Sequence, residues 1–398
     1  MSRYHSYLNS AKEILQLYKG EEPFAVFLKQ FFVRRKKYGS KDRKQISHLC
    51  YCYFRLGKAG ADLSIEERIL AALFLCSQAA NEVLWKLKPG WNEQVNSGLA
   101  EKFALLNNHE IVERLSLAEV FPWDDELSAG IIHEEFCESF FKQPDLFLRL
   151  RPGQEKRVME KLGNAGINFI QECPDCLSLS NSSKIDDVIE LNKEAVVQDY
   201  NSQRVGELLS TANSRLSTIS VWDCCAASGG KSIMANDIME NIELTVSDVR
   251  ESILANLRKR FAEAGIARYK YFVNDLTKES PKALLSGSGE GFGLIICDAP
   301  CTGSGTWSRT PEQLYYFDKK EIVKYSSLQK QIVANTIPHL QPGGYFLYIT
   351  CSVFKKENEE VVEFIAKNFG FDLIRMEVLK GYDKKADTMF AALFKKPL

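Results

Sequence analysis

Leu294-Ile295-Ile296-Cys297-Asp298-Ala299-Pro300-Cys301-Thr302-Gly303-Ser304-Gly305 is an apolar run that stops at an acid, followed by Pro-Cys and a loop too rich in glycine and serine for strand or helix. It reads as a buried parallel strand that delivers Asp298 and Cys301 to its carboxyl end, where open α/β sheets place their ligands. Taken alone, Cys301 is best read as a small buried thiol. A second apolar run, Gly344-Tyr345-Phe346-Leu347-Tyr348-Ile349-Thr350-Cys351-Ser352, ends in a second cysteine. If the two strands are neighbours, both thiols face one cleft, as a nucleophile and a proton-handling partner would.

From Ile219 onward the chain alternates strands with helix-length segments. Strands are expected at Ile219 to Cys224, Glu243 to Asp248, Tyr269 to Asp275, Phe371 to Val378 and Met389 to Lys395, besides the two that end at Asp298 and Cys351. That alternation implies a doubly wound, Rossmann-like α/β sheet. The first strand runs into Cys225-Ala226-Ala227-Ser228-Gly229-Gly230-Lys231 and then a helix. Glycines there let backbone approach a ligand at a helix N-terminus whose free amides favour an anionic group such as a carboxylate. The spacing is neither a Walker loop nor GxGxxG, which disfavours nucleoside triphosphates and nicotinamides. Asp248 is placed to take two ribose hydroxyls, and Asp275 to accept from an adenine amino group. Each acid alone is more simply a cap or a solvated strand end. Three acids at successive strand ends beside a glycine turn fit a nucleoside bearing an amino-acid carboxylate, and S-adenosylmethionine is such a ligand.

The rest of the chain sets limits. With 398 residues, 45% hydrophobic and 26% charged, it is long enough for two or three domains. A formal net charge of −1 means that any nucleic-acid surface has to be local. The 11 cysteines are scattered, no signal peptide precedes them, and no apolar segment approaches spanning length, so a reduced, cytoplasmic, membrane-free protein is expected. The histidines, His5, His48, His109, His133 and His339, lack ligand spacing, and Cys173-Pro174-Asp175-Cys176 is a lone pair; no metal site is expected.

Residues 1–138 read as a helical domain. Arg34-Arg35-Lys36-Lys37 is dense enough to attract phosphates, although most charge runs are solvated faces. Residues 139–196 read as a small α+β domain, with a helix near Ile185 to Leu191 and with Arg149 and Arg151 on a strand that either touches RNA or guards a sheet edge. Residues 197–398 form the cofactor domain.

The motifs Cys225 to Lys231, Asp298 to Gly305 and Thr350-Cys351-Ser352 resemble those of the Sun/Fmu-type RNA cytosine-C5 methyltransferases. The resemblance runs from Gln198-Asp199-Tyr200-Asn201-Ser202-Gln203 to Asp387-Thr388-Met389-Phe390-Ala391-Ala392-Leu393. Ser228 stands where that family usually has proline, and Thr388 where glycine is common. The helical region, with Tyr38-Gly39-Ser40-Lys41-Asp42-Arg43-Lys44, is similar to the NusB-like RNA-binding domain of the family's ribosomal branch. The resemblance implies a class I methyltransferase sheet, S-adenosylmethionine as cofactor and an RNA substrate, ribosomal RNA before transfer RNA, acted on by a monomer. It places the nucleophile at Cys351 and the release step at Cys301, with Lys231 and Asp298 beside the base and cofactor. A DNA enzyme would use the Pro-Cys thiol as nucleophile, a protein or small-molecule methyltransferase would need neither thiol, and a silent RNA-binding assembly factor would have lost one of them.

Overall fold

The apolar runs of the second half become the strands of one sheet because each is bounded by turn residues and most are separated by enough chain for a crossover helix. The computed structural model describes residues 3–108, 115–212, 218–239, 241–281 and 291–398. His109 lies outside them. Two compact units are distinguished: Met1–Asp125 with Ile132–Gln143 and Thr306–Asp318, and Glu126–Ile131 with Pro144–Gly305 and Lys319–Leu398.

The second unit holds two sheets. The smaller comprises β1 (Leu146–Leu150), β2 (Phe169–Cys173), β3 (Cys176–Leu179) and β4 (Ala195–Val197), in the order β2-β3-β1-β4. The larger comprises β5 (Ile219–Asp223), β6 (Ile242–Asp248), β7 (Tyr269–Val273), β8 (Phe292–Asp298), β9 (Leu340–Thr350), β10 (Asp372–Leu379) and β11 (Met389–Lys395). Its order is β10-β11-β9-β8-β5-β6-β7. Neighbours from β7 to β9 pair in parallel, whereas β11 runs antiparallel between β9 and β10. The short Lys380–Thr388 connection cannot cross the sheet, so the chain turns back as a hairpin. This is the Rossmann-like α/β architecture expected from the alternation.

Strand order reverses at β5, which has β6 on one side and β8 on the other. The crevice beyond the carboxyl ends of β5 and β8 is therefore the topological switch point, where such sheets bind ligands. Alternate side chains bury on opposite faces. Val221, Leu294, Ile296 and Leu347 pack with Leu257 and Phe261 of the helix Glu251–Glu263 on one side. Trp222, Ile295 and Phe346 pack with Ile332 of Lys320–Thr336 and Val361 of Glu359–Phe369 on the other. Burial on both faces fixes the position of every strand end.

In the smaller sheet two expectations fail. No helix forms near Ile185 to Leu191; the segment makes a single turn, with Val188 and Ile189 N–H both donating to Ile185 O. A run this short cannot repay helix nucleation. Arg149 and Arg151 neither face RNA nor guard an edge, because β1 is an interior strand. Both guanidiniums pair with Asp237 of the helix Gly230–Ile238, at 2.7 and 2.6 Å. Arg149 also donates to Gln198 Oε1 at 2.8 Å.

The first unit is helical in its described residues, from Arg3–Leu17 through Phe24–Arg34, Ser40–Arg55 and Ile65–Cys76 to His133–Ser139. Thr306–Asp318, which follows the Pro-Cys loop in sequence, completes its core. Its helix Pro311–Tyr316 brings Tyr315 to Tyr53, with the hydroxyls 3.0 Å apart. The buried Arg68 guanidinium donates to the carbonyls of Tyr53, Gly57, Ala59 and Gly60, so its charge is dispersed over backbone dipoles. No helix among the described residues is long and apolar enough to cross a membrane.

Asp237 is 4% exposed and compensates two arginines that are 5% and 13% exposed. Asp237→Ala should therefore leave buried cations unpaired and destabilise the second unit by about 3 to 5 kcal/mol. Denaturant unfolding followed by tryptophan fluorescence checks this; an unchanged midpoint would refute it.

Candidate active site

The two thiols meet because β8 and β9 are neighbours. Their parallel register sets Asp298 opposite Ile349, and Ala299 N–H continues the ladder to Ile349 O at 2.9 Å. Beyond that point the chains turn toward each other, and Cys301 Sγ lies 3.2 Å from Cys351 Sγ. The Cys301 thiol is pushed well above its usual value, first by its hydrogen bond to Cys351 and then by burial. Cys301 therefore tends to keep its proton, within hydrogen-bond reach of the Cys351 sulfur. Gly305 allows this closeness. Its N–H donates to Cys351 O and its carbonyl accepts from Thr388 N–H, both at 2.9 Å, and a Cβ there would sit 1.9 Å from Thr388 O.

Glu357 locks both cysteine loops, and sequence reasoning missed it. Its carboxylate accepts from Thr302 N–H at 2.9 Å and Thr302 Oγ1 at 2.6 Å, next to Cys301. It also accepts from Ser352 Oγ at 2.6 Å, next to Cys351, and from Gln329 Nε2 at 3.0 Å. Burial raises its pKa, and the four donors oppose that rise.

The glycine turn sits at the other side of the switch point. Ala226 N–H donates to Ser247 O, and Gly229 N–H closes the turn on Ala226 O at 2.8 Å. Gly229 has φ +83°, and a Cβ there would meet the Phe261 ring at 2.7 Å, so glycine is required. A Cβ on Gly230 would meet nothing within 4 Å, which leaves open space above the turn. Ser228 is held where a proline would be stiff: Arg260 donates to its hydroxyl at 2.7 Å and to its carbonyl at 2.9 Å.

The sequence-predicted acids differ in situation. Asp248, 6% exposed, accepts the Ala227 N–H of the turn at 3.1 Å and pairs with Arg250 at 3.1 Å. Asp275 is spent locally, accepting from Thr277 N–H and Oγ1 and pairing with Lys278 at 2.9 Å. Asp298 pairs with Lys231 at 3.0 Å, and Lys231 also donates to Ser202 Oγ at 2.8 Å. The cradle helix and the Pro-Cys strand are thereby joined by an ion pair.

A second missed residue is Asp223, the last of β5 and the counterpart of Asp298 on β8. It is fully buried; Oδ2 accepts from Ser232 Oγ at 2.6 Å, while Oδ1 has no partner. Burial, opposed by that bond and reinforced by nearby Asp298, pushes its pKa up to about 7. The signal that would have found it is the one used for Asp298, an acid ending an apolar strand.

The basic segment follows the helix Phe24–Arg34 in the first unit. Arg34, Lys36 and Lys37 are exposed, whereas Arg35 pairs with Glu13 and lies 4.6 Å above the Phe31 ring.

Residues 208–390 match the family model for 16S rRNA methyltransferase RsmB/F. Apart from Thr306–Asp318, the matched residues lie in the second unit and take in most of the larger sheet with its glycine turn and both cysteine loops. A ribosomal RNA small subunit methyltransferase B from Xylella fastidiosa (strain 9a5c) is 28% identical over 244 residues, 60% of this chain and 56% of that protein. The chain thus spans little more than half the length of that curated relative. The crystal structure of PH0851 superposes with a TM-score of 0.71 at 20% identity, covering 100% of both chains. That of NSun6 from Pyrococcus horikoshii with SFG gives 0.56 at 14% identity, covering 66% of this chain and 94% of the other. At these identities the two structures establish likeness of fold.

Asp223 supplies a pH test. Between its ordinary value of 3.8 and about 7 the folded chain holds a proton that the unfolded chain has lost, so stability falls as pH rises through that window. Asp223→Asn removes this dependence, and its stability relative to the parent should rise between about pH 4 and pH 8, by about 4 kcal/mol at most. Equal differences at both pH values in denaturant titrations would mean that the carboxyl is not held neutral.

Proposed function

We propose that this chain methylates carbon 5 of a cytosine in RNA, with small-subunit ribosomal RNA as substrate and S-adenosylmethionine as methyl donor. The observation that carries the reading is the 3.2 Å approach of Cys301 and Cys351 beside the glycine turn. Carbon 5 of cytosine is a weak nucleophile until a thiolate adds to carbon 6, and a second thiol beside the first is placed to serve the release step. The match of residues 208–390 to the RsmB/F model and the name of the Xylella relative support ribosomal RNA as the substrate.

The residues fit the cofactor. The open space over Gly230 admits its amino-acid end, the unpartnered Asp223 Oδ1 suits its ammonium group, and Asp248 suits its ribose hydroxyls once Arg250 swings aside. When bound it supplies an electrophilic methyl group on a sulfonium. Cys351 adds to carbon 6 of a cytosine held out of its stack. The Lys231 ammonium, fixed by Asp298 and Ser202, stabilises the negative charge that this addition pushes into the ring. After carbon 5 is methylated, its proton passes to solvent water, the freed electron pair restores the 5–6 double bond, and the carbon–sulfur bond breaks to return the Cys351 thiolate. Cys301 holds a proton against the departing Cys351 sulfur, which eases that release.

Methyl transfer from labelled cofactor to small-subunit RNA, transfer RNA and DNA tests the substrate; label in transfer RNA alone, or in none, would replace this reading. For the mechanism, Cys351→Ala should abolish both methylation and any covalent protein–RNA species. Cys301→Ala should methylate but stall at release, accumulating an adduct on denaturing gels that needs cofactor and Cys351. An adduct trapped by Cys351→Ala instead would make Cys301 the nucleophile.

Exposed cations in the first unit are proposed to hold the RNA backbone. Replacing Arg34, Lys36 and Lys37 by glutamine, with Arg35 left on Glu13, should weaken RNA binding and lower its salt slope by up to about 0.7 to 0.9 for each phosphate no longer neutralised. Cofactor affinity should be unchanged. An unaltered slope would identify the run as a solvated face.

A further inference from the structure

A second group of sulfurs converges at the switch point. Cys224 and Cys225 follow β5, and Cys297 is the penultimate residue of neighbouring β8. The pairing of Asp223 with Ile296, extended by Cys224 N–H to Ile296 O at 2.9 Å, brings them level. All three Sγ atoms lie within 4.8 Å of one another. Cys224 and Cys297 are buried in the apolar layer that holds Trp222 and Ile295, while Cys225 is half-buried.

We propose that Cys224, Cys225 and Cys297 form a three-sulfur binding site for a soft, thiophilic cation, zinc(II) or copper(I). A donor set made only of sulfur favours such ions over magnesium or calcium, which take oxygen ligands. With metal–sulfur bonds of about 2.3 Å, three ligands around one ion stand roughly 3.7 to 4.0 Å apart. That spacing is compatible with three sulfurs that all lie within 4.8 Å of one another. Two of the ligands come from adjacent strand ends buried on both faces, which fixes their separation in advance. The half-buried Cys225 provides the way in and leaves one coordination position for an outside ligand.

The inference does not depend on the methylation reading. Its test uses the full-length reduced protein with cadmium(II) as probe, in a Cys301→Ser, Cys351→Ser, Cys52→Ser, Cys173→Ser background that breaks up the other close thiol pairs. One equivalent should bind with a thiolate-to-metal charge-transfer band and a cadmium-113 resonance in the three-sulfur range. Zinc(II) or copper(I) should displace it, and magnesium should not. Cys224→Ala with Cys297→Ala, which keeps the layer apolar, should lose the band. Cys225→Ser, at the half-buried position, should lose it without disturbing the core. Absence of the band in the background protein, or its persistence in either variant, would overturn the proposal.

Discussion

Everything at the switch point depends on the parallel pairing of β8 with β9. Both strands are covered on two faces, so a slip of one residue would drive a whole set of apolar side chains into the wrong layer. That penalty fixes Asp298 opposite Ile349, and the two cysteine loops inherit the alignment. Alignment alone would leave two loops free to splay. Gly305 draws the first against the Cys351 carbonyl and the Thr388 backbone, and Glu357 ties Thr302 to Ser352 from beneath. The 3.2 Å between the sulfurs is thus the outcome of strand register, one glycine and one buried acid.

The features that are readable in the sequence share a physical cause. An apolar run that halts at an acid, a cysteine or glycines marks both a strand and the end of it, so β5, β8, β9, the glycine turn and the thiol pair are legible in the order of residues alone. Strand order is not, because nothing in the periodicity says that β11 inserts between β9 and β10. Glu357 is hidden by its surroundings: Lys355-Lys356-Glu357-Asn358-Glu359-Glu360 looks like a solvated surface, yet Glu357 and Asn358 are fully buried. Arg149 and Arg151 mislead for the same reason. Basic residues alternating with apolar ones suggest a wet face, but here that face is closed by Asp237 on a helix nearly ninety positions away in sequence.

Charge within the site is divided rather than concentrated. Lys231 lies between Asp298 and Ser202, so its ammonium is held by one carboxylate and one hydroxyl and has a third hydrogen besides. The thiols are divided as well. Cys301 retains its proton through its contact with Cys351, whereas Cys225 is stabilised as a thiolate by its two neighbours. Sulfurs from two different strand ends are thereby pushed in opposite directions by which of them donates.

The two buried acids missed in the sequence make the final distinction. Glu357 has donors on both oxygens, so the cost of burying it is offset within the fold, and its contribution is to hold the loops. Asp223 is buried as deeply but has a donor on one oxygen only. In a well-packed interior an acceptor left in that state costs about 1 to 3 kcal/mol. A bare acceptor beside a turn with open space over Gly230 is the arrangement expected where a cationic ligand group completes the bonding. Saturation marks the acid that serves the fold, whereas the partnerless Oδ1 of Asp223 is what suits it to the cofactor role proposed for it.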